Sequence, residues 1–162
     1  PRSTLFPYTT LFRSSEKETM KHIDRVKELI SSFCDEMVKR ADLHDKSKLE
    51  EIEKPYFDKY TPLLFKSKYG TPEYMKMLDE INFAFVHHYE TNSHHPQHYK
   101  NGIDDMTLFD IIEMFFDWKA SSERHEDGDI YFSIKSNKDR FKMSEQLTNI
   151  FNNTAKNLKW EK

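Results

Sequence analysis

Glycine is scarce in this 162-residue sequence, with three in all, and a turn-rich β architecture has little to build with. A single cysteine, Cys34, permits no internal disulfide and suits a reducing cytoplasm. No stretch approaches the roughly 18 consecutive apolar residues of a membrane span. Neither sign of charge dominates: 25 basic residues face 28 acidic ones, a formal net charge of −3. Such a balance supplies no positive field for nucleic acid or an anionic membrane. There is no glycine-rich phosphate loop and no legible Ser-His-Asp order, and Cys34 lacks an adjacent activating base.

The first stretch, PRSTLFPYTTLFRS (residues 1–14), back-translates codon by codon onto a widely used sequencing-library adapter. It also lacks the charged start, apolar run and small-residue cleavage site of a secretory signal. The expectation is that residues 1–14 are not native and that the native start is Met20 or a stretch just before it. Residues 15–162 then form a single helical domain around one core.

What the sequence has in excess is histidine: eight in total, five of them (His87, His88, His94, His95, His98) in one short stretch. The surrounding pattern is helical. Ile23, Val26, Ile30, Phe33, Met37 and Ala41 recur at three- and four-residue steps, predicting a helix from Glu16 to about Ala41. Pro55 marks a break or a first helical turn, and Thr61-Pro62 reads as the start of another short piece. Gly70 ends that piece, and Thr71-Pro72-Glu73 opens a helix running to about Thr91. Asn101-Gly102 and Asp127-Gly128 read as turns. A largely apolar helix is expected from Thr107 to about Arg124. Ile130–Ile134 reads as a brief extended run, and Ser144 caps a final amphipathic helix. The class is all-α, a single-domain helical bundle.

Three constellations could carry chemistry. The first is His44-Asp45, followed by Lys46 and Lys48 in a polar, irregular stretch. Imidazole and carboxylate together suit a divalent metal, and neighbours in sequence can converge on one centre where a helix ends. The second is the histidine cluster. On a continuing helix His88, Asn92 and His95 would share one stripe and His87, Thr91 and His94 another. Five imidazoles packed together repel one another when protonated unless a metal keeps them neutral. The third is Asp110, Glu113 and Asp117, an acidic stripe on an otherwise apolar helix that calls for cations or for solvent. The metal set read from these is His44, Asp45, His88, His94, His95 and Asp117, around one or two ions of Mn, Fe, Mg or Zn. His22 lies about 33 Å from His44 along an unbroken helix, at roughly 1.5 Å per residue, and is a minor candidate. His125 reads as a helix-dipole partner. Among the cations, Lys48 and Arg140 are expected to meet a phosphorylated substrate.

The order His44-Asp45, His88, His94 or His95, Asp117 resembles the HD superfamily of metal-dependent phosphohydrolases. The strings HDKSK (44–48), HHYETNSHHPQHY (87–99), NGI (101–103), EMFFDWKA (113–120), RHEDGDI (124–130) and NKDRF (137–141) more closely resemble an uncharacterised domain family frequent in bacteriophages and Firmicutes-like bacteria. One departure stands out: HD enzymes usually carry a leading histidine on a separate helix, whereas His22 shares one with His44; if His22 drops out, His87 or Glu113 must complete the shell or the site is mononuclear.

The HD resemblance implies an HD-like fold and hydrolysis of a nucleotide or small phosphoester in the cytoplasm of a bacterium or phage-infected cell. Asp45 would bridge two ions that activate a water molecule and polarise a phosphoryl oxygen. Glu113 or a non-ligating histidine would handle the proton, and Lys46 or Lys48 would offset developing charge. Two other readings compete. One is a non-catalytic phage accessory protein with a structural metal that binds a host protein. The other is a di-iron oxygenase of HD type.

Overall fold

The computed structural model describes residues 16–68, 70–124 and 128–160. Residues 1–14, His125 and Asp127, on which expectations were placed above, lie outside the described residues. Among the described residues there are helices and connecting segments and no strand, so the chain is all-α. No described helix is long and apolar enough to cross a membrane. The chain divides into two compact units, one ending at Asp42 and one beginning at Leu43.

The described residues of the first unit are those of α1 (Glu16–Leu43) as far as Asp42. Lys21–Glu18, Arg25–Glu28 and Lys39–Glu36 ion pairs at i, i+3 line it. Each such exposed pair adds only about 0.2–0.5 kcal/mol. His22 sits on this helix.

The second unit holds α2 (Lys54–Lys66), α3 (Pro72–Thr91), α4 (Leu108–Ser122), α5 (Ile130–Phe141) and α6 (Glu145–Asn157). Short 3-10 turns at Lys46–Leu49, Pro96–His98 and Gly102–Asp105 connect them. Thr71 caps α3 by accepting from the Tyr74 N–H, and Ser144 caps α6 by accepting from Leu147. Gly70 stops the chain before α3 at a φ of 78°, a left-handed conformation that glycine adopts without steric penalty.

Two expectations fail here. Pro62 does not open a new piece but lies inside α2, with Pro55 in that helix's first turn. The carbonyl that loses its donor belongs to exposed Asp58, where water can serve it. Ile130–Ile134 is not extended but forms the first turns of α5. Asp129 caps this helix through the Tyr131 N–H, and Ile130 and Ile134 are both buried one helical turn apart. Burial at a four-residue step outweighs the β preference of these side chains.

The core of the second unit has two parts. Met106, Met114, Phe115, Ile130, Ile134, Met143, Phe151 and Ala155 hold α4, α5 and α6 together, with Phe115 stacked on Phe151 at 4.5 Å. Tyr60, Ile81 and Ala84 join α2 to α3.

Candidate metal centre

The site begins where α1 ends. After Leu43 the chain turns through Asp45, whose φ of 57° is left-handed; aspartate tolerates this conformation better than most residues. On a continuing helix His44 and Asp45 would diverge. With the helix ended, they carry their side chains to the end of α3 and the middle of α4. The second contributor is the last turn of α3, where His88 is 2% exposed. That helix closes at Thr91 with Asn92 as its C-cap, so His94 and His95 lie beyond it and the two helical stripes expected from the sequence do not form. The segment after the cap folds back and returns both rings to His88, with ring centroids 4.9 Å apart for His88–His95 and 4.1 Å for His94–His95. The third contributor is α4, with Glu113 and Asp117.

These residues meet around the Asp45 carboxylate. His88 Nε2 lies 3.1 Å and His94 Nε2 3.5 Å from Asp45 Oδ1. His44 Nε2 lies 3.6 Å from Asp45 Oδ2 and 3.6 Å from Asp117 Oδ1. Three overlapping groups have the spacing of a metal site: Asp45 with His88, His94 and His95; His44 with Asp45 and Asp117; and His44 with His94 and Glu113.

The first group fits a cation best. Asp45 Oδ1 and the Nε2 atoms of His88, His94 and His95 are all buried and have no hydrogen-bond partner. Buried polar atoms are ordinarily satisfied, and one cation at the point where these four converge could serve them together. The far sides of His88 and His94, and of the neighbouring His44, fit as well. His44 Nδ1 and His94 Nδ1 both bond Glu113 Oε1, at 2.9 and 3.2 Å. His88 Nδ1 bonds Glu53 Oε2 at 3.0 Å. A carboxylate on Nδ1 fixes the tautomer that turns the Nε2 lone pair inward, as metal-binding imidazoles require.

In the metal-free protein the electrostatics divide the cluster. Contacts with Asp117 and Glu113 raise the His44 pKa to about 10, against the effect of burial. Burial also pulls His94 down, but its contacts with Asp45 and Glu113 outweigh this and raise it. His95 is pushed down to about 3 by burial and, after it, by electrostatic effects of the His94 and His88 rings, so it is neutral and has a lone pair to donate. Burial opposes ionisation of both Asp45 and Asp117. His88, His94 and Lys48 nevertheless hold the first well below the usual carboxylate range, and His44 lowers the second.

The remaining expected residues fall as follows. Lys48 Nζ is 2.5 Å from Asp45 Oδ2 and 5.4 Å from the Phe57 ring centre. Lys46 is exposed on the neighbouring turn. Arg140 lines a cavity of about 240 Å³ together with His95, Asp117, Gln97, Ser133 and Asn137. His98 is exposed and bonds the Tyr89 carbonyl. His87 pairs with Glu53 at 2.7 Å rather than joining the central cluster.

Glu53 and Asp110 have structural parts in the site that the sequence does not announce. Glu53 is fully buried and accepts from His87, His88 and the Ser47 hydroxyl. It sits just before Pro55 in a segment without periodicity, so no pattern marks it. Asp110, expected as part of a cation-seeking stripe, is satisfied by protein donors instead. It forms a capping box with Thr107 and accepts the Ser93 hydroxyl at 2.7 Å and the Tyr99 hydroxyl at 2.8 Å. Asp110 thereby ties both ends of the segment bearing His94 and His95 to the start of α4. The Thr-x-x-Asp spacing was the available signal.

No curated protein and no solved structure matches the chain. A family model matches residues 12–157, nearly the whole of it. The chain therefore belongs to the family of unknown function DUF5662.

Proposed function

We propose that this protein is a metal-dependent phosphohydrolase acting on a nucleotide or small phosphoester. The observation that carries the reading is the set of four buried atoms without a hydrogen bond, Asp45 Oδ1 and Nε2 of His88, His94 and His95, gathered within metal-ligand spacing beside a polar cavity that contains Arg140. Three imidazoles and one carboxylate favour Zn, Mn or Fe over Mg, which prefers an all-oxygen shell. A divalent ion held there supplies Lewis acidity for activating water and polarising a phosphoryl oxygen.

The chain's own residues do the rest. Glu113 holds His94 and Glu53 holds His88 in one tautomer and one orientation, so that little reorganisation of these two rings accompanies binding. Glu113 acts through His44 and His94 in this reading, and the proton-handling role expected of it passes to other groups. With one ion in the cluster, His44 Nε2 and Asp117 Oδ1, 3.6 Å apart, remain as an acid–base pair at its edge. A second ion would be held by that pair together with the Asp45 carboxylate. Arg140, Ser133 and Asn137 line the cavity next to His95 and Asp117 and supply donors for phosphoryl oxygens.

The depth of His88 and His94 equally suits a structural ion that only staples the fold, which is the competing reading. Metal analysis of purified protein, followed by hydrolysis assays over a phosphoester and nucleotide panel with added Mn, Fe or Zn, separates the two. Metal-dependent turnover that Asp45→Ala abolishes, with helicity by circular dichroism intact, supports the hydrolase. Metal-dependent folding with no turnover on any substrate supports the staple. Oxygen consumption by an iron-loaded sample supports a di-iron oxygenase instead.

A further inference from the structure

The candidate centre borders two cavities of opposite character. His95 and Asp117 face the polar one just described. Asp45 belongs to the wall of a second, larger cavity of about 580 Å³ between α2 and α3. Its lining follows from helical spacing. Phe57, Leu64 and Phe65 fall on one face of α2, at i, i+7 and i+8. Tyr74, Ile81 and Phe85 fall on one face of α3, at i, i+7 and i+11. Phe57 and Phe85 meet edge to face at 5.7 Å. The cavity is not apolar throughout: Lys48 and Arg124 join Asp45 in its wall, and Ser121 borders both cavities.

An apolar trough whose wall includes two cations and a carboxylate of the candidate centre matches one kind of molecule, a phosphate joined to a water-averse group. The cations complement the phosphate charge, Asp45 connects the trough to the site, and the volume lies within the roughly 300–1,000 Å³ typical of ligand pockets. Sugar phosphates, polar along their whole length, would leave Phe57, Phe65 and Phe85 unused.

We infer that the substrate is an amphiphilic phosphoester whose alkyl or aromatic part lies in the α2–α3 trough while its phosphate meets the candidate centre. This rests on the phosphohydrolase reading for the chemistry, but the trough can be tested without turnover.

The probes are methyl-, butyl-, hexyl-, octyl- and phenylphosphonate, which carry the charge of a phosphoester and are not hydrolysed, with glycerol phosphate as the polar comparison. Affinities for the full-length, metal-loaded protein are measured by calorimetry. Burying each methylene is expected to tighten Kd about fourfold, until the trough is full. Phenylphosphonate should outbind methylphosphonate at least tenfold. A phenyl preference over hexyl identifies an aromatic substrate, the reverse an alkyl one, and either supports the inference. Phe65 is 67% exposed, so Phe65→Ser should leave the fold intact while reducing the gain per methylene below twofold. A chain-length series without slope, glycerol phosphate binding as tightly as octylphosphonate, or no binding of any phosphonate overturns the inference. Sloped phosphonate binding with no hydrolysis of the matching esters leaves the trough in place and removes the phosphohydrolase reading.

Discussion

Glu113→Gln is the most informative perturbation of the centre, because it changes the hydrogen bonding behind two imidazoles and leaves every inward-facing atom in place. Glu113 Oε1 receives both His44 Nδ1 and His94 Nδ1. Glutamine keeps one carbonyl acceptor but removes the charge that raises the basicity of both rings, and it introduces an amide donor that must find its own acceptor. Substitutions of this kind typically cost about 10–100-fold in metal affinity, or roughly 1.4–2.7 kcal/mol. The loss can be read from thermal unfolding. At a metal concentration about 100 times the wild-type Kd, binding stabilises the native state by about 2.7 kcal/mol, and by only about 1.4 or 0.4 kcal/mol once affinity falls 10- or 100-fold. For a domain of this size each kcal/mol is worth about 2–4 °C in Tm. The metal-induced rise should therefore shrink from about 5–11 °C to about 3–6 °C or about 1–2 °C. Differential scanning fluorimetry with and without metal resolves these cases. An unchanged metal-induced shift in Glu113→Gln would falsify the assignment of Glu113 as the carboxylate that orients His44 and His94.

Other perturbations give distinct outcomes. Asp45→Asn should abolish tight binding altogether. Asp117→Asn should lower a stoichiometry of two to one, or leave a stoichiometry of one unchanged; loss of all metal by atomic absorption in Asp117→Asn contradicts the grouping of ligands. Removing Glu53, which is fully buried against His87, His88 and Ser47, should cost about 3–5 kcal/mol in Glu53→Ala, measured by urea unfolding of the metal-free protein. Asp110→Asn should cost about 1–3 kcal/mol through its cap and its two hydroxyl bonds. It should also weaken metal binding more than Ser93→Ala, since only Asp110 holds both ends of the His94–His95 segment.

The pH dependence of the metal-free protein has two sides. His44 is raised from 6.5 to about 10, so its contribution is complete below about pH 6.5 and is lost as pH rises towards 10. Asp45 and Asp117 are lowered, so their contribution is present above the ordinary carboxylate range and is lost as pH falls through and below it. A Tm-against-pH curve in chelator should fall on both flanks, and His44→Gln should flatten the alkaline one.

Local signals made much of the helical order legible. Thr71-Pro72 and Ser144 combine a capping hydroxyl with an apolar period, and both starts stand where they were read. Signals decided by distant packing were not legible. The Ile130–Ile134 run carries β-branched residues, yet the Met143 and Phe151 side of the core fixes it as helix. Pro62 signals a helix start only where a backbone donor is dispensable, and an exposed carbonyl makes it so within α2. In the site, the chemical types at His44, Asp45, His88 and Asp117 were visible, but the path of 92–95 was not. That path depends on Asn92 ending α3 and on Asp110 holding Ser93 and Tyr99, two long-range facts without a periodic signature.

The division of the core into a large and a small part has a consequence for how rigidly the chain is held. The α4–α6 side rests on an extensive apolar interior, whereas between α2 and α3 three buried residues, Tyr60, Ile81 and Ala84, are packed mainly by half-buried ones such as Phe57, Leu64 and Phe85. The turn at 44–49, the end of α3 and the segment at 92–99 are joined to α4 chiefly by polar groups that surround the candidate centre. Deuterium uptake should therefore divide along that line. Amides in α4 to α6 would exchange slowly whether or not metal is present, while those in 44–54 and 88–99 would exchange rapidly in chelator and slow sharply once an ion is supplied. In that behaviour a bound cation would do for the small half of the domain what Phe115 and Phe151 do for the large half.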